Sequence, residues 1–181
     1  MAHYNVEIKA RCENHDSIRD FLKASGAEFH GLDHQIDTYF RVNTGRLKLR
    51  EGNIENYLIY YERDNNAGPK KSRISLAPIN SNSGIKDILL RALETLVIVD
   101  KQREIYFIDN VKFHLDSVKG LGKFLEIEAT DCQGNIGLET LARQCRNYIT
   151  LLRISSEDMI RSSYSDLLLD SKSANVGSLL C

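Results

Sequence analysis

Tyr4-Asn5-Val6-Glu7-Ile8-Lys9-Ala10-Arg11 alternates between apolar and polar side chains at every step. A period of two marks a β-strand with one face buried. Its other face carries Glu7, Lys9 and Arg11. Three further stretches place two charges one residue apart: Lys48-Leu49-Arg50, Lys101-Gln102-Arg103 and Glu126-Ile127-Glu128. Residues i and i+2 of a strand share a face, so both charges of each stretch lie on one side. Several such strands together imply a sheet with one charged face.

Working outward, a helix is expected over 16–25, with Ile18, Phe21 and Leu22 inward and Gly26 ending it. Strands follow over 35–42, 46–51, 57–63 and 71–77. They are separated by Asn43-Thr44-Gly45, Gly52-Asn53 and Asn65-Asn66-Ala67-Gly68-Pro69. Connections this short require antiparallel neighbours. A second helix fits 84–96, capped by Ser83, and strands resume over 97–108, 112–117 and 123–130. A third helix fits 138–152 and a short last one 162–169. Residues 171–181 are Ser-rich and lack an amphipathic pattern, which predicts a mobile tail. No fixed-period repeat and no linker divides the rest, so residues 1–170 read as one α+β domain dominated by antiparallel strands.

The chain has 181 residues and a net charge of −1, so no global basic field draws it to nucleic acid or an acidic membrane. Its apolar runs, such as 93–99, are too short to cross a bilayer. Cys12, Cys132, Cys145 and Cys181 lack metal-binding spacing and read as free thiols. With no signal-peptide pattern at the start, a cytoplasmic location is expected. His30 and His34, four apart in a Gly-containing stretch beside Asp33, read as surface residues.

For any single strand, a charged face is ordinarily just the side that meets water. Collectively, tight pairs of Arg, Lys and Glu differ from a mixed solvent face. Two like charges 4 Å apart repel by about 4 kcal/mol at an effective dielectric of 20. A curled sheet would turn this face into a lumen. Cations suit phosphoryl oxygens, and carboxylates beside them suit a divalent metal held jointly by protein and phosphate. His114, on the same face as Asp116, could assist proton transfer or be purely structural.

These residues resemble the CYTH family, the triphosphate tunnel metalloenzymes that include class IV adenylyl cyclases, thiamine triphosphatases and inorganic triphosphatases. The strongest segment runs Val99-Asp100-Lys101-Gln102-Arg103-Glu104-Ile105-Tyr106-Phe107 and continues through Leu115-Asp116 to Glu126-Ile127-Glu128. It is similar to the cyclase-type branch in particular. The resemblance implies an eight-stranded antiparallel β-barrel, the triphosphate tunnel, with flanking helices. Glu7, Glu126 and Glu128 would ligate Mg²⁺ or Mn²⁺. Lys9, Lys48, Arg50, Arg63, Arg73, Lys101 and Arg103 would hold phosphates, the alternation near Tyr60-Tyr61 leaving the facing of Arg63 open. Lys9, Arg103 and Asp116 would form the catalytic set.

The family opens on Glu-x-Glu-x-Lys, whereas this chain reads Asn5-Val6-Glu7-Ile8-Lys9. Asn5 keeps an oxygen donor and loses a charge, which leaves a weaker second metal site, a changed metal preference or reduced activity open. The expected reaction is class IV cyclase-like: ATP to cyclic AMP and pyrophosphate. The alternatives are hydrolysis of tripolyphosphate or thiamine triphosphate, and a catalytically weak polyphosphate- or nucleotide-binding protein. The expected partner is a small triphosphate, not nucleic acid or membrane, and a homodimer is compatible with the sequence.

Overall fold

The computed structural model describes residues 3–63, 70–80 and 83–177. The strands are β1 (His3–Arg11), β2 (Glu28–Phe40), β3 (Arg46–Glu51), β4 (Tyr57–Arg63), β5 (Lys70–Pro78), β6 (Thr95–Ile108), β7 (Val111–Val118) and β8 (Gly122–Asp131). They close in the order β1-β5-β4-β3-β2-β6-β7-β8, with β8 returning to β1. Every pairing is antiparallel. Closure leaves no unpaired edge and gives the sheet an inside and an outside.

The period-two alternation decides which side chains go where. On β1, β7 and β8, the outward residues Val6, Ile8, Phe113, Leu115, Leu125, Ile127 and Ala129 form the largest core. Helices α1 (His15–Ala24) and α3 (Leu138–Leu151) cover it with Ile18, Leu22, Leu141 and Cys145. Burying one such large side chain contributes about 1.5–3 kcal/mol. The Asn14 side chain accepts from Ser17 N at 3.2 Å and starts α1. Helix α2 (Ile85–Ala92) packs Leu89 over Phe40 and Leu49 outside β2 and β3. At one end of the lumen, Tyr164 at the start of α4 (Tyr164–Gly177) packs with Phe124, Val97, Val99 and Tyr39, the Phe124 and Tyr164 rings 4.9 Å apart.

Four expectations differ. Strand β2 begins at Glu28, seven residues before the expected 35. Its pairing with β6 shifts register between Phe29 and Gly31, which interrupts the alternation. Gly31 has φ +134°, and a Cβ there would meet Ile54 Cδ1 at 2.8 Å. His30 and His34 are therefore strand residues and not loop residues, although both are partly exposed; His34 pairs with Asp100 at 2.8 Å. Helix α2 is shorter than expected, with left-handed Gly84 rather than Ser83 at its N-cap. Helix α4 continues to Gly177, so the expected tail is helical that far. The turn at 65–69 and residues 178–181 lie outside the described residues.

Candidate active site

The inward faces of the strands line one tunnel, whose charged lining among the described residues is six cations and five carboxylates: Lys9, Lys48, Arg50, Lys101, Arg103 and Lys112 with Glu7, Asp37, Glu55, Glu126 and Glu128. Three ion pairs follow directly from the cross-strand register. Asp37 lies opposite Arg50, Lys9 opposite Glu126, and Arg103 opposite Asp116. Asp37 is the hub of the first group. Its carboxylate accepts from Arg50 Nε at 2.8 Å, Lys48 Nζ at 2.9 Å and Lys101 Nζ at 2.8 Å. Glu126 is the hub of the second, meeting Lys9 Nζ at 2.7 Å, Arg103 Nη2 at 2.6 Å and His114 Nδ1 at 3.3 Å. Arg103 Nε also donates to Asp116 at 2.7 Å, and the Tyr164 hydroxyl donates to the same carboxylate at 2.8 Å.

Burial opposes ionisation of these carboxyls, but the cations win. Arg50, Lys101 and Lys48 hold Asp37 well below the usual carboxylate range, and Lys9 with Arg103 does the same for Glu126. Lys101 goes the other way. Burial, helped by Arg50, Arg103 and Lys48 and resisted by Asp37, pushes its ammonium down to about 7. A polyanion placed beside Lys101 raises that value again, so binding must draw in a proton above neutrality. We expect triphosphate affinity to fall as pH rises from 7 toward 10. Calorimetry at pH 8.5 in buffers of different ionisation heat should show uptake of up to about one proton; zero uptake would refute this.

The structure brings Lys9, Lys48, Arg50, Lys101, Arg103, Glu7, Glu126 and Glu128 of the expected set into one lumen, with Asp116 buried behind Arg103. Arg73 is corrected: it is exposed on the outer face of β5, whose inward residues among those described are Ser72, Ile74 and Leu76. Arg11, read as part of the charged face, is likewise exposed and donates to Leu121 O at 3.3 Å. Arg63 ends β4, and its side chain lies outside the described residues. Asp37 and Glu55 were missed. Asp37 stands in Gln35-Ile36-Asp37-Thr38-Tyr39, where polar Thr38 follows it and breaks the alternation seen in the other strands. Glu55 sits in the β3–β4 connection, where no periodicity could have placed it.

Glu7 and Glu128 stand directly opposite across β1 and β8, a like-charge pair that is destabilising on its own. Asn5 Nδ2 donates to Glu128 Oε1 at 2.6 Å, while Asn5 Oδ1 is buried without a hydrogen-bond partner in the same lumen. Two carboxylates and an unsatisfied carbonyl oxygen are the hard donors that Mg²⁺ or Mn²⁺ takes, so these residues fit such an ion. The expected third ligand, Glu126, is held by Lys9 and Arg103. Among the described residues no group of three or more His, Cys, Asp or Glu is poised to hold a metal.

The CYTH domain family model matches residues 3–164, so the chain belongs to the CYTH family. Among curated relatives, a Methanocaldococcus jannaschii protein named "Putative adenylate cyclase MJ0240" is 27% identical over 176 residues, covering 90% of this chain and 97% of that protein. Among solved structures, the PH1012 protein of Pyrococcus horikoshii OT3 superposes with a TM-score of 0.78 at 25% identity, covering 90% of this chain and 98% of that one. A Hippeastrum protein, HpAC1, described as an adenylyl cyclase candidate with a dominant triphosphatase activity, shares the fold at 12% identity. Its TM-score is 0.61, with 94% and 96% of the two chains covered. Among the described residues no helix is long and apolar enough to cross a membrane.

Proposed function

We propose that this protein is a divalent-metal-dependent enzyme acting on an organic triphosphate, converting ATP to cyclic AMP and pyrophosphate as class IV adenylyl cyclases do. The observation that carries this reading is that, among the described residues, the tunnel has two chemically different walls. Lys9, Lys48, Arg50, Lys101 and Arg103 supply cations on one side, while adjacent β4 and β5 supply Tyr57, Ile59, Tyr61, Ile74 and Leu76 on the other. Cations alone would suit an inorganic chain. An aromatic and aliphatic wall beside them suits a phosphate chain that carries a planar heterocycle.

In this reading, the lumen cations exchange their carboxylate partners for phosphoryl oxygens and fix the chain along the tunnel. The ribose 3′-oxygen attacks the α-phosphorus as its proton passes to a base such as His114 Nε2, the bond to the bridging oxygen breaks, and that oxygen leaves with pyrophosphate. Lys9 and Arg103 would neutralise charge developing on the leaving group. Asp116, accepting from both Arg103 and Tyr164, fixes the guanidinium. Bound near Glu7 and Glu128, a divalent ion would polarise the phosphoryl group and offset its charge.

Hydrolysis of a triphosphate is the second reading. His114 Nε2 is buried in the lumen without a hydrogen-bond partner, and it could accept from a water as readily as from a sugar hydroxyl. Incubation with ATP, tripolyphosphate and thiamine triphosphate, each with Mg²⁺ or Mn²⁺, separates the readings by product. Cyclic AMP with pyrophosphate is the expected result. Orthophosphate release would replace it with the second reading. Binding without turnover would indicate a binding protein.

A further inference from the structure

The β3–β4 connection does more than turn the chain. It sends Glu55 into the tunnel, where its carboxylate bridges Arg50 Nη1 at 2.8 Å and Lys112 Nζ at 3.1 Å and accepts from Gln35 Nε2 at 3.0 Å. These cations hold the carboxyl well below its usual range against the opposing effect of burial, so it is an anion throughout the neutral range.

Its backbone is equally fixed. Asp33, fully buried on β2, accepts from Ile54 N at 2.9 Å and Glu55 N at 3.0 Å, and takes Gln35 Nε2 at 2.7 Å. Asn56 closes the turn by exchanging two hydrogen bonds with the Gly52 backbone, at 3.1 and 2.8 Å. Any side chain at Gly52 would strike Asp33, since a Cβ there falls 2.7 Å from Asp33 Oδ1. A buried aspartate thus pins a short loop so that one glutamate projects into the lumen.

We propose that Glu55 is an internal anionic stop that limits the length of phosphate chain the tunnel accepts. The inference rests on the triphosphate reading above and adds a specificity-determining residue to it. A chain extending along the cations toward Arg50 and Lys112 meets a fixed carboxylate already bonded to both. Each further phosphoryl group must then lie beside a like charge and compete for the same donors. Asp37 competes for Lys48, Arg50 and Lys101 whatever the ligand length, because it lies along the tunnel wall opposite Arg50.

The test compares pyrophosphate, tripolyphosphate and tetrapolyphosphate binding by calorimetry, at fixed Mg²⁺, in the wild-type protein and Glu55→Gln. The variant should tighten tetrapolyphosphate by about tenfold or more and pyrophosphate by no more than about threefold. If Glu55→Gln does not fold cooperatively, Glu55→Asp, which retracts the carboxylate by one methylene, should give the same order with smaller factors. An equal change at all three lengths, or none, overturns the stop while leaving the triphosphate reading intact. Failure of every phosphate to bind either protein overturns both.

Discussion

Replacing Asp37 with Asn is expected to cost about 3–5 kcal/mol of folding stability, the usual consequence of removing one member of a buried ionic group. The magnitude comes from what is left behind. Lys48, Arg50 and Lys101 all direct donors at this carboxylate, and Lys101 is almost completely buried. Without Asp37, three like charges face each other at a largely buried site, and Lys101, already pushed down to about 7, has less reason to keep its proton. The same change removes the main competitor of an incoming anion. Tripolyphosphate should therefore recover more stability in Asp37→Asn than in the wild type, because a ligand that binds only the folded state stabilises it in proportion to its affinity. Urea unfolding with and without tripolyphosphate measures both effects. Unchanged stability in the variant would mean that the three cations do not depend on Asp37.

The second large effect is expected at Glu126. Glu126→Gln keeps the shape and removes the charge that meets Lys9, Arg103 and His114. We expect metal-dependent turnover to fall by at least about 100-fold, the scale of losing one electrostatic element of a preorganised site. Phosphate affinity should hold or rise, since Lys9 and Arg103 are released from a competing anion. The expected signature is a lower kcat without a raised KM. Full activity in the variant would remove Glu126 from the site. A raised KM with unchanged kcat would make it a binding residue only.

Both predictions concern carboxylates, and the sequence revealed them unequally. Glu126 stands in a run that alternates without interruption, so its face was readable. At Asp37 the alternation breaks, because polar Thr38 follows it, and its significance depends on facing Arg50 across a strand pair that sequence spacing does not name. Arg73 shows the opposite failure. In Lys70-Lys71-Ser72-Arg73 every residue is polar, so alternation cannot say which parity faces the lumen. The pairing of Asn5 with Ser72 settles it by turning Ser72 inward and Arg73 out.

By itself, the sequence determined the strand-dominated α+β class, the faces of β1, β3, β6 and β8, and the presence in one site of cations and carboxylates. It could do so because side-chain alternation is a local property, set by the geometry of each strand. Only the tertiary structure decided that each described lumen cation faces a carboxylate of the protein's own, that Asp37 serves three of them, and that Asp33 pins Glu55 into the tunnel. Those contacts join residues up to 64 positions apart for Asp37 and 57 for Glu55. They depend on register and barrel closure, which bring distant strands to a common axis and are encoded in no single stretch of chain.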